Sequence, residues 1–423
     1  MNTWLVRSVM LSLLLCTGTN LPIHAQSAIE SDPLTEGTAT LDMQIKQVVD
    51  KFIADEQLVG AVTLVSSKDQ IIHWQAHGLA DRESHREMSK DTIFRIHSFT
   101  KAITSCAAMM LWEENKFELD DPLDKYLPEF AGTKVFGDPT SSNPLRPIKI
   151  RDLLTHTSGL IYPVPEGKGL EGLYRRDTLF DIDNTLAETV HKLAELPIAF
   201  SPGEQWRYGM SIDVLGRLIE IWSGQPYEQF LQQRLFEPLE MPDTAFHVPP
   251  EKLVRLATLY EKNDSGKLEP RLGKEKGENF IPTSIPKFCM PGGGLFSTAR
   301  DYHQFLSMIL ADGKFRDRRI LQPAMVALMC ANQLPENVPC IQFDKEIRDG
   351  VQFGFGFDVV TKPSKWDPMA RVGELGWGGA ASCHYWLWPP GELIVITLES
   401  TKPYNWNLER GLKELVYHET DRR

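Results

Sequence analysis

The sequence is short of the features that would assign it quickly. Six of its 423 residues are cysteine, and they lack the paired spacing that holds zinc or forms a redox dithiol. Neither an HExxH helix nor a Gly-x-Ser-x-Gly elbow occurs in the chain, which weakens the metal and α/β-hydrolase readings. There is no long basic run and the formal net charge is -12, so a nucleic-acid duplex or an anionic membrane surface would be repelled. No stretch reaches the roughly 18 uninterrupted apolar residues that a membrane-spanning helix requires. Internal repeats and low-complexity tracts are missing too. What is left, 42% hydrophobic and 24% charged residues, is a globular balance with material for a large buried core.

The N-terminus carries an address rather than a fold. Residues 1–25, MNTWLVRSVMLSLLLCTGTNLPIHA, set Arg7 ahead of an apolar run from Ser8 to Cys16 and end on Ala25, the layout of a secretory signal peptide. A secreted or periplasmic protein with a mature domain at 26–423 is expected. A lipoprotein reading through Cys16 is weakened by Leu15, which is large where a small residue belongs. The mature chain keeps Cys106, Cys289, Cys330, Cys340 and Cys383. Of these, Cys330 and Cys340 could close one disulfide loop, and Cys106 reads as a small core residue.

Strand signals gather at the two ends and helix signals in the middle. After LDMQIKQVVDKFIADEQ, with apolar residues at helical spacing, VGAVTLVSS (59–67) and QIIHWQAHG (70–78) flank Lys68-Asp69 and read as a hairpin. Strands return in FGFGFDVVT, GGAASCHYWLWP and GELIVITLES, the last two joined at Pro389-Pro390-Gly391, and NWNLERGLKELVYHE closes as a helix. The expected fold is α/β (α+β): an antiparallel sheet from both chain ends (about 40–97 and 346–423) flanked by helices, with a mostly helical lobe (about 98–345) inserted. The site is expected at the seam.

Ser98 and Lys101 stand at that seam. Phe99, Ile103, Cys106, Ala107 and Met110 mark an apolar helix face starting there, and residues three apart share a face, so the lysine amine can lie beside the serine hydroxyl. A hydroxyl becomes a nucleophile when a neighbouring base takes its proton, and a lysine serves once desolvation or charge lowers its pKa. The helix N-terminus adds partial positive charge where an anion would form. An N-cap serine followed by a surface lysine would leave the same tetrapeptide. The eleven histidines are scattered, and each alone reads as a core or surface residue.

The run IFRIHSFTKAITSCAAMMLWEENKFELDDPLDKYLPEF resembles the active-site serine segment of the serine β-lactamase and penicillin-binding-protein superfamily, more narrowly its class C-like (family VIII carboxylesterase-like) branch of esterases and acyltransferases. LLTHTSGL, FSPGEQWRYGMSIDVLGRLIEIWSG, PGGGLFSTARDY and GWGGAASCHYWLWPPGELI follow in the family's order and extend the resemblance over nearly the whole mature chain. It implies Ser98 as nucleophile, Lys101 as base, and Tyr208 as the tyrosine of the Tyr-x-Asn motif, relaying a proton between them. Met210 stands where that motif has asparagine, a side chain that in the family helps hold the lysine. HTSG at 156–159 mimics the third motif, yet it precedes Tyr208 and is read as structural. Trp377-Gly378-Gly379 resembles the Trp-Gly-Gly of the esterase-like branch, with the N–H groups of Ser98 and Ala380 as the oxyanion hole.

Replacing a cationic or hydroxyl-bearing motif by Trp-Gly-Gly removes groups that would bind a substrate carboxylate, which favours simple esters over penicillins and stem peptides. Trp206, Trp377, Trp386 and Trp388 are candidates for an apolar acyl pocket, although some of them must simply be core. The expected function is a secreted serine hydrolase of carboxylic esters acting through an acyl-enzyme, without metal or cofactor. The rivals are a β-lactamase or D-amino-acid peptidase, an acyltransferase, and a non-catalytic penicillin-recognising or cell-wall-binding module. The partner expected is a small-molecule ester or amide, with no nucleic acid and no stable membrane span.

Overall fold

The computed structural model describes residues 36–137, 146–164, 167–271 and 281–422, so the signal reading at 1–25 lies outside the described residues. Strands β1 (Gly60–Ser67) and β2 (Gln70–Asp81) form the expected hairpin. Its two-residue turn puts both Lys68 (φ 50°) and Asp69 (φ 61°) in the left-handed region, the turn geometry whose twist matches that of the strands it joins. A two-residue strand, β3 (Arg86–Glu87), follows. The other five strands come from the far end of the chain: β4 (Val351–Phe353), β5 (Asp358–Val360), β6 (Leu375–Gly379), β7 (Cys383–Trp388) and β8 (Leu393–Glu399). They make one eight-stranded antiparallel sheet in the order β4-β5-β6-β7-β8-β1-β2-β3. The two chain ends meet where Ala61 pairs with Glu399 and Ser67 with Leu393.

Each face of the sheet has its own core. Helix α1 (Glu36–Ala54) turns Leu41, Ile45 and Val49 inward at a spacing of four, one helical stripe. They pack with Ala61, Val65, Trp386 and Val395 of the sheet and with Leu408, Leu412 and Val416 of the C-terminal helix. On the opposite face lie Val62, Leu64, Tyr385 and Ile396, packed into the inserted helical lobe. Three helices of that lobe matter for the site: α2 (Thr100–Glu113), α3 (Ser211–Ser223) and α4 (Ala299–Leu310). The C-terminal helix is α5 (Asn407–Arg422).

Two expectations need correction. The sequence suggests one apolar face on α2, yet every residue from Thr100 to Leu111 is buried, because α2 runs through the middle of the lobe with α3 against it. Its polar side chains must then be satisfied indoors. Thr104 Oγ1 donates to the Pro291 carbonyl at 2.8 Å, and Leu295 N donates to Thr100 Oγ1 at 3.2 Å. The tryptophans also divide. Strand alternation puts Trp377 opposite Tyr385 and Gly376 opposite Trp386, so Trp386 and Trp388 belong to the α5 face and cannot line an acyl pocket beside Trp377. Trp386 lies under the Lys413 ammonium, and Trp388 packs against Tyr417 and Arg371.

All five described cysteines are free, so Cys330 and Cys340 do not pair. Among the described residues no helix is long and apolar enough to cross a membrane. Asp367, Glu374 and Glu409 bring carboxylate oxygens within 4.8 Å of one another, the spacing of metal ligands. The Lys413 ammonium already takes that place, donating to Asp367 and Glu374 at 2.6 Å each and pairing with Glu409 at 3.0 Å.

Candidate active site

Ser98 sits in a short 3-10 turn, His97–Phe99, that leads directly into α2. It is therefore one turn ahead of the α-helix rather than in its first turn, and Lys101 is the second residue of α2. The entry is bent by His97, a non-glycine residue at φ 44°, a conformation that costs on the order of 1–3 kcal/mol and needs support from its surroundings. Support is present on both sides. Thr100 Oγ1 donates to the His97 carbonyl at 2.6 Å, and the Tyr302 hydroxyl from α4 donates to the Phe99 carbonyl at 3.0 Å. The Phe99 ring is gripped by Tyr302 and Tyr385, with centroids at 4.6 and 4.7 Å. Ser98 is left half-buried on a fixed turn.

Lys101 is 1% exposed. Its Nζ donates to Ser98 Oγ at 3.3 Å and to the carbonyl of Gly292. It also lies 4.6 Å from the centroid of the Tyr208 ring and 5.3 Å from that of Tyr162. Ring faces stabilise a cation. The structure thus gathers Ser98, Lys101 and Tyr208 from positions up to 110 residues apart in sequence. Tyr208 is held by Trp377, whose indole Nε1 donates to the phenol oxygen at 3.2 Å. Trp206 stacks at 6.1 Å and His156 packs at 4.9 Å against the same ring. His156, from the HTSG loop, is fully buried, and burial followed by the nearby Lys101 charge pushes it well below the usual imidazole range. It is a neutral packing surface for Tyr208.

The third segment arrives on the free end of β6. Gly379 lies so close to the His97–Phe99 turn that a Cβ there would stand 2.5 Å from the Ile96 carbonyl oxygen, a contact only glycine permits. Ala380 follows as an exposed residue in the turn to β7. Gly378 has a different neighbour: a Cβ would meet the Tyr404 hydroxyl at 2.1 Å. Trp377 is 4% exposed and joins Phe343 and Phe353 in the aromatic wall around Tyr208.

Three participants were not anticipated from the sequence: Tyr162, Asp213 and Gly292. Asp213 is buried, Oδ1 accepting from Gly292 N at 2.9 Å and Oδ2 without a hydrogen bond. Burial raises its pKa to about 6, against the opposing pull of Lys101. Its signal in the sequence was an acid inside the apolar run MSIDVLGRLI, five residues after Tyr208.

Comparisons with known proteins identify the family. The beta-lactamase family model matches residues 45–415. Esterase EstB of Burkholderia gladioli is 31% identical over 413 residues, covering 90% of this chain and 96% of its own. An uncharacterized Mycobacterium tuberculosis protein is 34% identical over 354 residues, 81% of this chain and 85% of its own. The solved structure of EstCE1, described as a hydrolase with promiscuous acyltransferase activity, superposes with a TM-score of 0.76 at 28% identity, covering 90% of this chain and 100% of its own. With one antiparallel sheet built from both chain ends, a helical insertion bearing a serine and lysine one turn apart, and a match over most of its length, the chain belongs to the beta-lactamase family and is a serine hydrolase of its esterase-like branch.

Proposed function

We propose that the protein is an exported carboxylic-ester hydrolase that works through an acyl-enzyme on Ser98. The observation that carries this reading is the contact between Lys101 Nζ and Ser98 Oγ at 3.3 Å, with the Tyr208 ring on the same ammonium. Ser98 Oγ attacks the ester carbonyl while its proton passes to the Lys101–Tyr208 pair, which accepts it with the amine neutral or with the phenol ionised beside the ammonium. The oxyanion of the tetrahedral intermediate accepts hydrogen bonds from the N–H groups of Ser98 and Ala380. Collapse breaks the bond to the alcohol, which leaves with the proton returned through Tyr208. Water repeats the sequence on the acyl-enzyme and releases the acid. Esters are favoured over β-lactams because Met210 and Trp377-Gly378-Gly379 offer no side-chain amide, ammonium or hydroxyl to an anionic substrate. Export is supported by the signal layout of residues 1–25.

A second outcome of the same acyl-enzyme is transfer to an alcohol, favoured by the acyltransferase activity of EstCE1. Both are tested by turnover of a short-chain aryl ester with and without an added alcohol. Turnover lost in Ser98→Ala, together with covalent labelling of Ser98 by a phosphonate probe, is the expected result. Unchanged turnover in Ser98→Ala would overturn the mechanism, and product partition toward the new ester would identify the transferase. The N-terminal mass of the exported protein tests cleavage after Ala25.

A further inference from the structure

Lys101 reaches a negative charge through a peptide rather than by direct contact. Its ammonium donates to the carbonyl of Gly292, and the N–H of the same Gly292 donates to Asp213 Oδ1 at 2.9 Å. A single glycine is therefore held at one end by α2 and at the other by α3. The surroundings leave it no freedom: a Cβ on Gly292 would lie 2.7 Å from Asp213 Oδ2 and 2.8 Å from the Tyr162 hydroxyl. The loop is strapped to α2 on both sides of that glycine, by Thr104 at Pro291 and by Thr100 at Leu295. Asp213 Oδ2 has no hydrogen bond of its own. A fully buried carboxylate with an idle oxygen is costly unless its charge meets an opposite one, and Lys101 supplies it. Met210, the residue just before α3, is buried and apolar.

We infer that Asp213 is a positioning residue for the hydrolase: it fixes the Gly292 peptide, whose carbonyl orients the Lys101 ammonium toward Ser98, and its charge sets the proton affinity of Lys101. This rests on the reading of Ser98, Lys101 and Tyr208 as the reacting groups. The groups facing Lys101 are Ser98, His156, Tyr162, Tyr208 and Asp213. Burial pushes His156 well down and Tyr162 well up, so neither brings a charge near neutral pH. Tyr227, which faces Asp213, is likewise pushed far up by burial. The carboxylate of Asp213 is the negative group of this set, and a nearby opposite charge stabilises an ammonium.

The decisive variant is Asp213→Asn, which keeps the volume and leaves an amide oxygen for the Gly292 N–H but removes the charge. Whichever protonation state of Lys101 is active, the limb of the kcat/KM profile that reports it moves to lower pH, by about one unit. At fixed pH on that limb the change is about tenfold. A purely structural role for Asp213 would lower kcat or Tm and leave the limb where it is, and that result overturns the inference. A second measurement is independent of turnover: the protein is labelled with 13Cε-lysine, and the Lys101 resonance, assigned by its loss in Lys101→Arg, is titrated in wild type and Asp213→Asn. A downward displacement supports the inference even if no ester proves to be a substrate, in which case the hydrolase reading alone fails. Coincident titrations refute it even if the enzyme is active.

Discussion

The indole Nε1 of Trp377 donates a hydrogen bond to the phenol oxygen of Tyr208 across a sequence separation of 169 residues. The tyrosine oxygen is thereby an acceptor in the resting site, which leaves its own proton directed elsewhere and favours any build-up of negative charge on it. Tyr208→Phe keeps the ring against Lys101 and removes the hydroxyl that the proposed mechanism uses as relay. We expect kcat to fall on the order of 10²–10⁴-fold, with KM nearly unchanged and Ser98 still open to slow labelling. Trp377→Phe, which removes the indole N–H together with part of the ring packed against Tyr208, should cost at least about tenfold. Steady-state kinetics on one aryl ester separates the two.

The two glycines after Trp377 should respond differently to the same added methyl. In Gly379→Ala the new Cβ meets the backbone oxygen of Ile96 at 2.5 Å, and backbone cannot step aside without moving the His97–Phe99 turn that carries Ser98. Loss of about 10²-fold in kcat is expected, the scale of a lost oxyanion donor. In Gly378→Ala the obstacle is the Tyr404 side chain, 2.1 Å from the new Cβ. Combining it with Tyr404→Ala should restore activity to within about threefold of Tyr404→Ala alone, a coupling expected of side chains in contact. Equal damage in Gly378→Ala with and without the second change would show that the phenol is not the obstacle.

Lys413 is 1% exposed and faces Asp367, Glu374 and Glu409. Lys413→Met is close to isosteric but strands three carboxylates in the core. It should destabilise by about 3–5 kcal/mol, the usual result of removing one side of a buried ionic group. Thermal denaturation at neutral pH measures it. A Tm unchanged from wild type would mean that the carboxylates are neutral without the lysine.

Asp358 and Glu409 contribute stability that declines as pH rises. Burial is the leading cause that lifts Asp358 and Glu409 to about 7. The sign follows from linkage: the folded protein holds these protons more tightly than the unfolded chain, so their contribution is fully present below about pH 4 and is lost as pH rises through 7. Asp358→Asn removes one such proton. Its Tm should match wild type at about pH 4 and exceed it by a few degrees at about pH 8. A parallel offset at both pH values would rule out the linkage.

The hairpin at Lys68-Asp69 and the return of strands after residue 350 were legible because turn chemistry and β-branched runs are local signals. The order of landmarks located Ser98, Lys101, Tyr208 and Trp377 for a different reason: their spacing is a pattern of the whole chain. Local signals failed where burial is decided by distant neighbours. Nothing in TKAITSCAAMML says that its polar side should be buried as well, because the partners of Thr100, Lys101 and Thr104 lie in the loop around 291–295. Asp213 was missed for the same reason, its partner being a backbone N–H 79 residues away. The separation of Trp386 from Trp377 needed the register of β6 on β7, which sequence alternation suggests but does not fix.

The pairing of β1 with β8 gives this enzyme a built-in timing. The serine and lysine leave the ribosome early, whereas β6, which carries Trp377 and Gly379, and β8, which joins it through β7 to the N-terminal hairpin, come almost last. Pairings this distant along the chain close slowly and only once both partners exist. A nascent or truncated polypeptide therefore holds Ser98 and Lys101 without the strand that brings Trp377 to Tyr208.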